Sequence, residues 1–227
     1  MIHHAVEQGS IEWMRLRLGI PTASNFDRII TPKTMKVSTA SRDYLAQLCA
    51  EWLLGGPVNP TETQFMERGK ALEPEARAWF EWENNVTVEP GGFVTTDDGS
   101  IGCSPDGTFD NDGLEIKCYE YVHHVRCLLD EDDGHKCQIQ GCLWLTGRER
   151  WHRLYYNPAL PPVVVTVERD EEFIEAMAEA VTTFAVQLAE ARAKLLARGC
   201  KPIVLCPATG ISELICRCER HEERRNG

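Results

Sequence analysis

The chain has 227 residues, 43% of them hydrophobic and 26% charged, enough to bury one sizeable core, and it reads as a single large domain rather than two. A net charge of −11 excludes a protein that coats nucleic acid by bulk charge, and no stretch approaches the roughly 18–20 consecutive apolar residues of a membrane-spanning helix. Met1-Ile2-His3-His4-Ala5-Val6-Glu7 has neither the basic start nor the apolar run of a signal peptide, so a soluble cytoplasmic protein is expected.

Charge is unevenly spread. Residues 1–60 hold six Lys/Arg against five Asp/Glu, and residues 192–227 hold eight against four. Residues 166–190 hold seven acids (Glu168, Asp170, Glu171, Glu172, Glu175, Glu179, Glu190) against Arg169 alone. Any contact with DNA therefore needs a local basic surface, with the acidic segment turned away. The ten cysteines do not call for a disulfide scaffold in a chain of this length, and Cys49, Cys118 and Cys142, set in apolar segments, read as small buried hydrophobes.

In chain order, Glu12–Leu18 reads as a short helix, Gly19-Ile20-Pro21 as a turn, and Thr22 as the cap of a second helix to about Ile30. Residues 32–41 read as a loop. Ser41 or Asp43 starts a helix through Leu54, stopped by Gly55-Gly56-Pro57. Residues 62–83 show the helical spacing of Phe65, Met66, Leu72, Ala76, Trp79 and Phe80, with Pro74 as an expected kink. Short β-type runs follow at Val86–Val88, Gly92–Thr95, Ile101–Cys103 and Gly113–Cys118. Asp110-Asn111-Asp112-Gly113 is a hairpin signal between the last two. Helix returns at about 135–145, strands are expected at 151–156 and Val163–Val167, and Glu171–Leu196 is a long helix with Phe173, Met177, Val181, Phe184 and Leu188 on one face. The expectation is an α+β fold, a small mixed, largely antiparallel central sheet flanked by helices.

Chemistry concentrates on one hairpin. Cys103-Ser104-Pro105-Asp106-Gly107 precedes the turn and Gly113-Leu114-Glu115-Ile116-Lys117 follows it. Glu115 and Lys117 share a strand face because the side-chain period is two, and the hairpin brings Asp106 alongside. Two converging carboxylates make an oxygen-rich site suited to Mg²⁺, with Mn²⁺ as a substitute. Such an ion activates water and offsets charge on a phosphoryl group, and Lys117 can orient that water. The plain alternative is a Glu115–Lys117 salt bridge with Asp106 as a turn residue.

The pattern Ser104-Pro105-Asp106-Gly107 with Glu115-Ile116-Lys117 resembles the PD-(D/E)xK nuclease superfamily, with its restriction-endonuclease-like fold. Within it, the pattern resembles the lambda-exonuclease-like (alkaline exonuclease, YqaJ-type) phage recombination nucleases more closely. Trp13–Gly19 with Thr22-Ala23-Ser24, Gly69–Ala76 and Gln138-Ile139-Gln140 match further motifs in order; the resemblance runs from Val6-Glu7-Gln8-Gly9 to about residue 195, so the nuclease domain is expected over residues 1–195, with 196–227 as a basic, cysteine-containing tail. It implies that Glu73 joins Asp106 and Glu115 near the metal, that the Ile116 carbonyl adds a ligand, and that Arg17, Ser24, Ser104 and Gln140 grip a DNA phosphate, the 5′-terminal one. Lys70 is a backbone contact in this reading. Gln138 and Gln140 cannot share a helical face; the resemblance favours Gln140. It also implies a Mg²⁺-dependent 5′-to-3′ exonuclease acting on linear double-stranded DNA. The family enzyme is a ring-shaped homotrimer that leaves a 3′ single strand for an annealing protein, inside a bacterial host and encoded by phage or prophage.

Cys200, Cys206, Cys216, Cys218 and His221 cluster near the C-terminus, but Cys216-x-Cys218 is tighter than a zinc knuckle and no second Cys-x₂-Cys exists, so structural zinc is not expected. Two other readings stand beside the exonuclease: a restriction- or RecB-like endonuclease, and a non-catalytic DNA-binding module.

Overall fold

The computed structural model of the chain describes residues 1–58, 64–130 and 134–204, residues 64–66 by backbone alone. Its elements run β1 (Ile2–His4), α1 (Ile11–Arg17), a 3₁₀ turn (Ala23–Arg28), β2 (Ile30–Thr31), β3 (Lys36–Val37), α2 (Ser41–Leu54) and α3 (Gln64–Asn84). Then come β4 (Glu89–Pro90), β5 (Phe93–Thr95), β6 (Gly102–Cys103), β7 (Gly107–Phe109), β8 (Asp112–Lys117), α4 (Tyr121–Leu128), α5 (Lys136–Thr146), β9 (Arg150–Asn157), β10 (Leu160–Glu168) and α6 (Glu171–Ala197).

The central sheet has the order β10-β9-β8-β7-β4, with β8 in the middle. All its pairs are antiparallel except β8 with β9, where Glu115 lies opposite Arg153 and Lys117 opposite Tyr155. A parallel pair needs a long crossover, and here α4 and α5 supply it. This mixed α+β architecture is the one expected. Two smaller sheets stand beside it, β1-β5-β6 and β2-β3.

Alternation along β8 divides the molecule. Leu114 and Ile116 pack into a cluster with Ala76 and Phe80 of α3 and Leu154 and Tyr156 of β9. Glu115 and Lys117 therefore face the opposite side, where α5 lies. The larger core belongs to that side: Phe173, Met177, Val181, Phe184 and Leu188 of α6 meet Tyr44 and Leu48 of α2, Phe26 of the 3₁₀ turn, and Ile139, Cys142 and Leu143 of α5. The predicted α6 stripe is buried throughout, and Asp170 caps its helix by accepting the Phe173 N–H at 3.1 Å. Helix α2 stops at Gly55, which takes the left-handed φ of +66° that ends helices.

Several expectations are corrected. Thr22 makes no side-chain cap and no α-helix runs to Ile30; Thr22 pairs with Gly102 in a parallel bridge and is buried, so its side chain is not free to cap. Within the expected loop, Lys36–Val37 returns to pair with Ile30–Thr31. The Ile101–Cys103 run is not the hairpin partner of Gly113–Cys118: Gly102 and Cys103 pair with Thr95 and Val94 of β5, and the partner is β7. Its turn occupies only Asp110-Asn111, with Asp110 at φ +45°, a conformation its short polar side chain tolerates. Pro74 is accommodated within one continuous α3. Cys49 and Cys142 are buried and Cys118 is half-buried. Past α6 the backbone returns to α2, the Ile203 N–H donating to the Leu53 carbonyl at 2.9 Å.

Gly113 is set by close approach rather than by a turn, since a Cβ there would sit 2.3 Å from the Trp151 indole, itself fully buried. Gly113→Ala is expected to destabilise the fold by about 1–3 kcal/mol through overpacking, measured as a loss of stability in urea unfolding.

Candidate active site

Asp106 enters the site from the segment between β6 and β7. That segment runs against Gly91, where a Cβ would lie 2.2 Å from the Pro105 carbonyl oxygen, so only glycine lets the two backbones meet. The Asp106 Oδ2 accepts the Ile116 N–H at 2.7 Å. In an extended strand a residue's N–H and C=O point to the same edge, so the Ile116 carbonyl opens toward Asp106 as well.

Glu115 is buried in the middle of the sheet, 2% exposed. Its Oε1 accepts the Lys117 ammonium at 2.7 Å and the Gln138 amide at 2.5 Å. Its Oε2 is buried and has no hydrogen-bond partner among the described residues. Burial and the neighbouring Glu115 carboxylate push the Asp106 carboxyl well above the usual carboxylate range, with Glu73 adding to the effect and Lys117 and the Ile116 N–H opposing it. Burial works against the Lys117 ammonium, but Glu115 and Asp106 outweigh it and hold its pKa above the ordinary lysine value. Two carboxyl groups thus face a single lysine.

These residues fit a hard divalent cation. The orphaned Glu115 Oε2, the Asp106 carboxylate and the Ile116 carbonyl offer oxygen donors only, the set that suits Mg²⁺ or Mn²⁺. Among the described residues, no three His, Cys, Asp or Glu side chains converge on one point, so two carboxylates, the carbonyl and water would make up the coordination. Glu73 stands apart from the pair. It lies on α3, the helix covering the Leu114/Ile116 face, and its Oε1 accepts Arg77 at 2.9 Å; its charge reaches Asp106 without joining a cluster.

The expected phosphate grip is only partly assembled. Arg17 lies half-buried, its guanidinium 4.2 Å above the Trp13 ring and its pKa lowered by burial, against the opposing influence of Tyr44 and Glu51. With Trp13, Asn25, Tyr44 and Glu51 it lines a cavity of about 510 Å³ between α1, the 3₁₀ turn and α2. The Trp13 indole donates to the Ser104 Oγ at 2.8 Å, which ties this cavity to the Asp106 segment. The Ser104 Oγ also accepts Gln8 at 3.0 Å and donates to the Gly92 carbonyl at 3.1 Å, so its proton is already placed. Ser24 and Lys70 are exposed, Ser24 on the 3₁₀ turn and Lys70 on α3.

Gln140 is the clear reversal. It is 2% exposed, donates to the Glu168 carbonyl at 2.9 Å and accepts the Asp170 N–H at 3.0 Å, so it splices β10 to α6. Gln138 is the member of the pair that reaches the site. The helical period allows one of the two and does not say which. Sequence reasoning also missed Gln8, which holds the Pro105 carbonyl at 2.9 Å, and the Trp13–Ser104 bond; both are contacts across more than 90 residues with no local signal. Of the C-terminal cysteines, Cys200 is half-buried, while Cys206, Cys216, Cys218 and His221 lie outside the described residues.

A model of the YqaJ-like viral recombinase domain matches residues 12–149, a span that holds Arg17, Glu73, Asp106, Glu115, Lys117 and Gln138. The chain belongs to the YqaJ-like viral recombinase domain family. No curated protein matched the sequence. Among solved structures, this YqaJ-like chain is similar to the alkaline exonuclease LHK-Exo of Laribacter hongkongensis, with 27% identity and a TM-score of 0.74, covering 84% of this chain and 98% of that one. It is equally similar to LHK-Exo in complex with dAMP, with 27% identity and a TM-score of 0.75 over the same shares. A phage-related exonuclease of Haemophilus somnus shares the fold at 13% identity, with a TM-score of 0.65 over 78% of this chain and 96% of that one. Among the described residues, no helix of the YqaJ-like chain is long and apolar enough to cross a membrane.

The two glutamines separate by experiment. Gln140→Ala strands the Glu168 carbonyl and Asp170 N–H and is expected to cost about 1–3 kcal/mol in chemical unfolding. Gln138→Ala is expected to leave stability within about 1 kcal/mol of wild type while releasing Glu115.

Proposed function

We propose that this chain is a Mg²⁺-dependent exonuclease that degrades one strand of linear double-stranded DNA from its 5′ end. The observation that carries this reading is the buried, unpartnered Glu115 Oε2 beside Asp106 and the Ile116 carbonyl, with Lys117 on the same strand face. Family membership and the 27% identity with an alkaline exonuclease support it. Asp106, Glu115 and the Ile116 carbonyl would hold Mg²⁺, and Mn²⁺ could take its place.

When bound, the ion would lower the pKa of a water and offset negative charge on the phosphoryl oxygens. Lys117 orients that water by hydrogen bonding and lends positive charge to the transition state. Glu115 fixes the ammonium, and Gln138 fixes Glu115. The water oxygen bonds to phosphorus while the O3′–P bond breaks, which releases a 5′-nucleotide and leaves a new 5′-phosphate. A 5′-nucleotide of this kind, dAMP, is bound by the Laribacter enzyme. Arg17, in the cavity joined to the Asp106 segment through Trp13 and Ser104, is the group we assign to the terminal 5′-phosphate, because its planar fork matches phosphate oxygens. Ser24 and Lys70, both exposed, are assigned to the flanking backbone. Glu73 acts as an outer carboxylate.

The assembly we propose is a homotrimeric ring in the cytoplasm of a phage- or prophage-bearing bacterium. It leaves a 3′ single strand for an annealing protein. An acidic chain can handle DNA this way because only the enclosed channel must be basic.

The test uses linear duplex with 5′-phosphate or 5′-hydroxyl ends and a covalently closed circle. Wild type is expected to digest linear DNA with Mg²⁺, prefer the 5′-phosphate, and stop with EDTA; Asp106→Ala is expected to lose at least about 10³-fold in rate. Arg17→Ala is expected to lose the 5′-phosphate preference. Cleavage of the closed circle would favour the endonuclease alternative, and activity in EDTA would overturn the metal reading.

A further inference from the structure

The residues around Lys117 are held by a helix as well as by their own strand. Glu115 and Lys117 share one face of β8, and just past the strand the Tyr119 ring stacks on Tyr155, the β9 residue opposite Lys117. The start of helix α5 presents two side chains to that strand, His135 from its N-cap position and, three residues on, Gln138 from its first turn. Gln138 bonds the Glu115 Oε1 at 2.5 Å, and the Tyr119 hydroxyl bonds the His135 Nε2 at 3.0 Å. Two cross-links therefore join β8 and the residues just past it to the start of α5, one on each side of Lys117 in sequence.

Tyr119 itself is firmly seated. Its ring stacks on Tyr155 at 5.8 Å and lies 5.7 Å from His123. Its carbonyl accepts the buried Asn157 side-chain amide at 2.8 Å and Arg68 at 3.5 Å. With ring and backbone held from β9, α4 and α3, the hydroxyl is a fixed point against which α5 is set.

We propose that Tyr119 and His135 are positioning residues: their hydrogen bond is the second half of a clamp that sets the Lys117 ammonium at its working position. The inference rests on the proposed nuclease function and adds residues to that site. Loss of the outer cross-link lets the first turn of α5 shift, and with it Gln138, Glu115 and the ammonium that Glu115 holds. Displacements of about 1 Å in such groups cost up to about 100-fold in rate.

Tyr119→Phe removes the hydroxyl and keeps the stacked ring, and is expected to lower kcat on linear duplex about tenfold with KM for DNA ends unchanged. Its Tm is expected to fall by no more than about 4 °C, the scale of one hydrogen bond in a chain of this size. His135→Ala is expected to match it. His135→Gln, which keeps a polar atom at similar reach, is expected to recover most of kcat. A second readout needs no catalysis: competitive acylation of Lys117 by acetic anhydride, followed by mass spectrometry, is expected to run at least about threefold faster in Tyr119→Phe and His135→Ala than in wild type. Unchanged Lys117 labelling in both variants overturns the clamp, whatever the activity does, and so does a rise in KM in place of the fall in kcat. A wild-type protein without Mg²⁺-dependent nuclease activity, but with the labelling shift, overturns the proposed function and leaves the clamp standing.

Discussion

The hydrogen bond from the Ile116 N–H to Asp106 is the contact on which the rest of the site depends. It joins the segment before β7 to the far end of β8, so that the carboxylates of Asp106 and Glu115 are brought to one site. Everything nearby serves that meeting. Gly91 lets Pro105 approach, Gln8 holds the Pro105 carbonyl, and Ser104 is pinned by Trp13 and the Gly92 carbonyl. Burying like charges is costly unless something compensates, and Lys117 alone leaves Glu115 Oε2 unpartnered. A site built this way leaves an oxygen donor open for a cation.

The sheet explains why the two faces of β8 have different jobs. Leu114 and Ile116 anchor the strand on α3, and the same strand offers Glu115 and Lys117 to α5. The parallel step from β8 to β9 forces a crossover, and that crossover delivers α5 with Gln138 and His135 to the reactive face. Topology and chemistry are thus one constraint here: the helix that completes the parallel pair also completes the site.

Local patterns in the sequence carry much of this. The period-two alternation of Leu114-Glu115-Ile116-Lys117 and the α6 stripe from Phe173 to Leu188 each arise from neighbours along the chain, and each is found where the pattern places it; the Asp110–Gly113 signal marks a hairpin, but its turn and its partner strand differ from those expected. The misses are long-range. Thr22 looks like a cap until Gly102 pairs with it. Gln138 and Gln140 are equivalent in a helical period, and only the positions of β8 and of the β10–α6 junction decide which one meets Glu115. Helix α4 escaped notice because its apolar residues Tyr121, Val122, Val125 and Leu128 are exposed and only His124 and Cys127 are buried. Glu73 lies on α3, which covers the opposite strand face, and Arg77 takes its carboxylate.

The central claim is that Asp106 and Glu115 together hold a divalent cation, and Mn²⁺ titration followed by electron paramagnetic resonance tests it most directly. The free Mn²⁺ signal is expected to be suppressed stoichiometrically by wild-type protein, and only weakly by Glu115→Gln or Asp106→Asn at the same concentration. Equal suppression by wild type and both variants would place the metal elsewhere and contradict the account.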